Sequence, residues 1–77
     1  MFMIKIKTLD LHGEYHRDVE IKVTNFVLMN ETPLKIITGD SEIMRNLVFN
    51  ILDTFGFEYH PEFHTNHGAF IIRDKTN

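Results

Sequence analysis

Apolar positions recur along this chain with two different periods, and the changes of period divide it into elements. Phe2-Met3-Ile4-Lys5-Ile6-Lys7-Thr8 reads as a strand. It runs into Leu9-Asp10-Leu11-His12-Gly13. Alternate residues of a strand share a face, so Asp10 and His12 point one way and Leu9 and Leu11 the other, toward a core. Gly13 then permits a sharp turn. Glu14 to Met29 supports two readings. Tyr15, Val19, Val23, Phe26 and Val27 keep a helical rhythm, and Glu14 and Asp18 suit a helix start. Val19-Glu20-Ile21-Lys22-Val23-Thr24 also alternates and is β-branched, as strands are. The pattern leans to the helix.

Asn30-Glu31-Thr32-Pro33 marks a loop. Leu34 to Thr38 is a short buried strand, followed by Gly39-Asp40-Ser41, where Asp40 or Ser41 can cap the next helix. Ser41 to Phe55 is the clearest helix, with Ile43, Leu47, Val48, Ile51, Leu52 and Phe55 as one apolar stripe. Gly56 stands where a left-handed cap belongs. Phe57 to His64 alternates again, and Pro61, which donates no ladder bond, makes it an edge strand. Tyr59 and Phe63 share one face; Glu58, His60, Glu62 and His64 share the other. Thr65-Asn66-His67-Gly68 reads as a turn. Ala69 to Arg73 is apolar on both faces and therefore central. Asp74 to Asn77 is a polar tail.

The order is β-α-β-α-β-β, and a first βαβ unit is expected to be parallel and right-handed. The strands ending at Asp10-His12 and at Thr38-Gly39 then open on one edge, where ligand sites of open α/β sheets gather. The 77 residues, 43% of them hydrophobic, support one stand-alone domain, residues 1–77, with a packed core. There are no cysteines, which excludes disulfide and thiolate chemistry. No apolar run reaches a membrane span, and Lys5 and Lys7 interrupt any secretory-signal pattern, so no membrane is implied and the cytoplasm is the default location. Eight basic and eleven acidic residues leave a net charge of −3. Nucleic-acid affinity, where present, is expected to be modest and salt-sensitive.

Asp10 and His12 are the residue types most used to move protons near neutral pH. Polar residues also commonly do no more than solvate a strand end. Beside the pair, the Gly39-Asp40-Ser41 turn opens a helix whose free N–H groups can bind phosphate. Together they describe a phosphodiester site.

These residues carry a resemblance. Leu9-Asp10-Leu11-His12-Gly13 resembles the Leu-Asp-x-His-Gly signature of Smr (small MutS-related) domains. Ile37-Thr38-Gly39-Asp40-Ser41 falls at that family's Thr/His-Gly-x-Gly motif, and Gly68-Ala69-Phe70-Ile71-Ile72 resembles its closing Gly-Ala-Thr-x-x strand. The resemblance spans about Thr8 to Arg73. It implies an α/β fold, an α+β two-layer sandwich like the C-terminal domain of translation initiation factor three. Two helices then lie on one face of a four-stranded mixed sheet of order 1-2-4-3, with Glu14–Met29 helical. It also implies nucleic-acid binding and, in many members, endonuclease activity: RNA cleavage, sometimes at stalled ribosomes, or DNA nicking. Asp10 and His12 become catalytic candidates. Gly13, Thr38, Gly39, Asp40, Ser41, Arg45 and Arg73 become phosphate-binding candidates.

The chain departs from that pattern. Ser41 replaces the second glycine, and its β-carbon could crowd a phosphate. Asp40 and Glu42 put negative charge where the family often has Lys, with only Lys35 and Arg45 nearby. No cofactor is implied; the acidic turn could hold a divalent cation such as magnesium. His12 with His16, and His60 and His64 with Glu58 and Glu62, match metal ligands in type but not in zinc spacing, and no metal site is expected. His60, His64 and Arg73 could instead line a nucleic-acid surface. RNA carries its own nucleophile, so His12 as base, oriented by Asp10, could cleave it without metal to a cyclic phosphate, the Gly39–Ser41 amides holding the phosphoryl charge. RNA is therefore favoured over DNA as substrate. The alternative is a non-catalytic RNA- or ribosome-binding module.

Overall fold

A computed structural model describes residues 5–75. The elements are β1 (Lys7–Asp10), α1 (His16–Met29), β2 (Leu34–Ile37), α2 (Glu42–Thr54), β3 (Phe57–Phe63) and β4 (Asn66–Asp74). The strands form one mixed sheet in the order β1-β2-β4-β3. β1 and β2 are parallel, while β4 runs antiparallel to both β2 and β3. This is the expected two-layer α+β arrangement. The part of the first strand expected at Phe2–Ile4 lies outside the described residues.

The doubtful Glu14–Met29 stretch is a helix, because Val19, Val23 and Val27 line up at helical spacing and all three are buried. It begins at His16 rather than Glu14. Glu14 donates its N–H to Leu11 O at 2.9 Å, closing a turn around Gly13, and the chain cannot start a helix until that turn ends. On α2 the buried line is Met44, Val48 and Leu52. Ile43 and Phe55, placed on the stripe by sequence, are 62% and 43% exposed. The face is rotated because three residues four apart follow the helix across the sheet, and Leu47 and Ile51 flank them. Gly56 has φ +77°, as a left-handed cap requires.

The core lies between the helices and one sheet face: Leu11, Leu34, Ile36, Phe70 and Ile72 meet the valines of α1 and the central residues of α2. Alternation therefore puts Asp10, Lys35, Ile37, Ala69 and Ile71 on the other, helix-free face. Ile71 is nonetheless buried there. Its cover includes Lys35, which pairs with Glu62 at 2.7 Å.

The turn expected at Thr65–Gly68 is shorter than that. Phe63 pairs with Asn66, and β4 starts there. Gly68 is a strand residue whose missing side chain serves close packing: a β-carbon would stand 3.2 Å from the carbonyl carbon and oxygen of Gly39. The β3–β4 register shifts between Pro61 and Phe63, where Glu62 alone stands against His67, Gly68 and Ala69, so the bulge lies on β4 and interrupts its alternation there.

Candidate functional site

The C-terminal ends of β1 and β2 reach the same edge of the sheet, as a parallel pair must, and the start of β4 lies beside them. β1 continues past Asp10 by one ladder bond, Leu11 N–H to Ile37 O at 2.8 Å, so Leu11 stays buried while His12 emerges into solvent. Asp10 then acts locally: its Oδ1 accepts the backbone N–H of His12 at 2.9 Å. The carboxylate thus fixes the peptide that carries the imidazole, rather than gripping the ring. Gly13 completes the turn at φ +81°.

The β2 end is held from the other side. Thr38 N–H and Gly39 N–H both donate to Gly68 O, at 2.8 and 3.1 Å. Gly39 has φ +71°, and His12 Cδ2 lies 3.8 Å from where its β-carbon would be. The two motifs therefore meet in space. Thr38, expected to face a phosphate, is buried, and its hydroxyl sits 3.0 Å from Gly39 O. It shapes the turn.

Ser41 is the N-cap of α2, with Oγ accepting Met44 N–H at 3.1 Å. Its φ of −76° is ordinary for any L-residue, so this position has no conformational need for glycine. Gly39 N–H, expected as a charge stabiliser, is already committed to Gly68. Among the described residues, the N–H groups of Asp40 and Ser41 have no partner in the turn, and the first amides of α2 have no intrahelical acceptor. These are the donors available to an anion. Arg45 stands on the first turn of the same helix, with Nη1 3.5 Å from His67 O. Asp40 and Glu42 are exposed at the same place and oppose an anion.

The structure thus gathers Asp10, His12, Gly13, Thr38, Gly39, Asp40, Ser41 and Arg45 at one edge. Arg73 does not join them. It stands opposite Glu58 in the strand register near the opposite end of β4, four residues beyond Ala69, or about 13 Å along the strand. Lys35 forms an ion pair with Glu62. The residues that sequence reading missed are Asn66, His67 and Gly68. Asn66 Oδ1 accepts Gly68 N–H at 2.8 Å and shapes the segment that holds Gly39. The sequence reads Asn66 and His67 as a turn and Gly68 also as the opening of a strand motif, and neither reading points to Gly39.

Among the described residues no three histidine or carboxylate side chains come together as a metal site. His60 Nδ1 contacts Pro61 O at 3.0 Å, and His64 lies in the turn after β3. No helix among the described residues is long and apolar enough to cross a membrane. The pKa of Tyr59 is raised. Burial raises it first, then the hydrogen bond and the charge of Asp53. Tyr59 packs against Phe49 of α2, away from this edge. In comparisons with family models, with curated proteins and with solved structures, the chain has no match.

Proposed function

We propose that this chain is an Smr-like nucleic-acid-binding domain of the cytoplasm that cleaves RNA at the edge formed by His12, Gly39 and the start of α2. The observation that carries the reading is the placement of an exposed imidazole against Gly39, with the Asp40 and Ser41 amides and Arg45 beside it. Histidine exchanges protons near neutral pH. A neutral His12 can take the proton of an RNA 2′-hydroxyl, while the amides and Arg45 meet the phosphoryl charge. No metal is needed for that step, because the nucleophile belongs to the substrate. Asp10 is a positioning residue, acting through its bond to the His12 peptide.

The test is incubation of the protein with single-stranded RNA, structured RNA and supercoiled plasmid, with magnesium or with a chelator. RNA is expected to be cut in both conditions, leaving a 2′,3′-cyclic phosphate. His12→Ala is expected to lower the rate about a hundredfold or more with little loss of binding. Asp10→Asn keeps an acceptor for the His12 N–H and is expected to cost less than Asp10→Ala. A His12→Ala protein that cuts RNA as fast as wild type overturns the reading. An inactive wild type that still binds RNA identifies a docking module, for RNA or a ribosome, instead.

A further inference from the structure

We propose that this edge takes an unpaired RNA strand, with Tyr15 and Phe63 as stacking platforms for bases on the two flanks of the His12–Gly39 position. The inference rests on the nucleic-acid reading above and narrows its substrate class to single-stranded rather than duplex RNA.

The distribution of aromatic side chains carries it. Phe70 belongs to the core, and Phe26, Phe49, Phe57 and Tyr59 pack against it. Phe55, at the C-cap of α2, is 43% exposed. Among the described residues, Tyr15 and Phe63 are the most exposed aromatic side chains, at 68% and 62%. A single exposed apolar residue is ordinary. These two, however, flank one site.

Tyr15 follows the turn that carries His12. Glu14 N–H closes that turn on Leu11 O at 2.9 Å, and Tyr15 O accepts Asp18 N–H at 3.0 Å to open α1. Phe63 belongs to the other flank. It stands opposite Asn66 in the strand register. Asn66 Oδ1 accepts Gly68 N–H at 2.8 Å, and Gly68 O accepts the N–H groups of Thr38 and Gly39. A series of backbone contacts thus ties Phe63 to the β2 turn. From β1 to β3 there are three strand spacings, or roughly 14 Å, the length of a few nucleotides.

Each flank also carries a guanidinium. Arg17 lies 4.9 Å over the Tyr15 ring, and Arg45 Nη1 is 3.5 Å from His67 O, in the segment that follows Phe63. Asp10, Asp40 and Glu42 are exposed at the same edge and oppose phosphate. In a chain of net charge −3, attraction for phosphate is weak. Stacking needs no charge and is worth about fivefold to a hundredfold in affinity per base. A duplex hides the faces of its bases in its own stack, whereas an unpaired strand offers them to protein rings.

The experiment measures fluorescence anisotropy of a labelled oligonucleotide of about eight 2′-O-methyl nucleotides. Without a free 2′-hydroxyl it is not cut, so binding is read apart from cleavage. The wild type is expected to bind the single strand about tenfold or more tighter than the same strand annealed to its complement. Tyr15→Ala and Phe63→Ala, each checked for fold by circular dichroism, are expected to weaken single-strand binding about fivefold or more. Tyr15→Phe and Phe63→Tyr keep a ring and should stay near wild type. Equal affinity for strand and duplex, or alanine variants that bind as wild type does, overturns the stacking track; RNA cleavage by the same proteins then leaves the cleavage reading standing. Ring-dependent binding by a wild type that cuts no RNA keeps the track and overturns the cleavage reading. A wild type that binds neither oligonucleotide overturns both.

Discussion

At the scale of single residues, two glycines hold the site together for different reasons. Gly13 turns the chain at φ +81° in open space, with nothing within 4 Å of where a β-carbon would sit. Alanine there should cost only backbone strain, about 1–2 kcal/mol, and Asn, which tolerates the left-handed region, should recover part of it. Gly68 has the opposite problem, because its β-carbon would meet the Gly39 backbone at 3.2 Å. Gly68→Ala should therefore displace Gly39 from His12 and reduce RNA cleavage by more than Gly13→Ala at matched stability, as thermal melts and cleavage rates together will show. Tyr59 provides a check away from the site. Its pKa is raised above the ordinary 10.0 by burial and by Asp53, so the folded state keeps the phenol proton that the unfolded state gives up. Its contribution is complete below pH 10 and is lost as pH rises through the folded value. Denaturant melts should show wild-type stability falling between those two pKa values, and Tyr59→Phe should remove that part of the fall.

At the scale of elements, α2 does most to place the site. Its buried line of Met44, Val48 and Leu52 seats it on the sheet, and its N-terminus therefore lands at the β2 exit. Ser41 Oγ satisfies one of the four free N–H groups there. Ser41→Ala should lower stability by about 1 kcal/mol, measured by denaturant melts. The same change frees the Met44 N–H, so RNA binding should not weaken in proportion. α1 behaves differently: Tyr15 at its N-cap makes no capping bond, and the Arg17 guanidinium lies 4.9 Å over the Tyr15 ring instead. Its helical state is decided by burial of three valines, not by its end.

At the scale of the whole molecule, the parallel β1–β2 pair and the antiparallel β4 bring three distant segments to one edge: the β1 exit, the β2 turn and the start of β4. Charge works against RNA there. The chain carries −3 overall, and Lys35 is neutralised by Glu62 at 2.7 Å. Removing one acidic group should then have a visible effect. Asp40→Lys should tighten RNA binding and steepen its salt dependence by about one unit in the log–log slope. Unchanged binding in a titration across salt concentrations would show that phosphate does not approach this turn.

What the sequence determined by itself was local. The α2 period, the left-handed cap at Gly56, the edge position of Pro61 and the doubly apolar run of β4 each follow from the conformational limits of a few neighbouring residues. The Glu14–Met29 stretch was not decided locally, since its valines satisfy both periods; helix follows from where Val19, Val23 and Val27 are buried. The reach of Asp10 and His12 to one edge was legible, because alternation and a parallel βαβ unit suffice to place them. Tertiary structure alone decided that Asp10 holds a peptide rather than an imidazole, that Thr38 turns inward, and that Arg73 is carried to the far end of β4. It also decided that Gly68 is a packing residue set against the Gly39 backbone. Those outcomes depend on strand register and on contacts between residues distant in sequence, and neither leaves a trace in the spacing of polar and apolar positions along the chain.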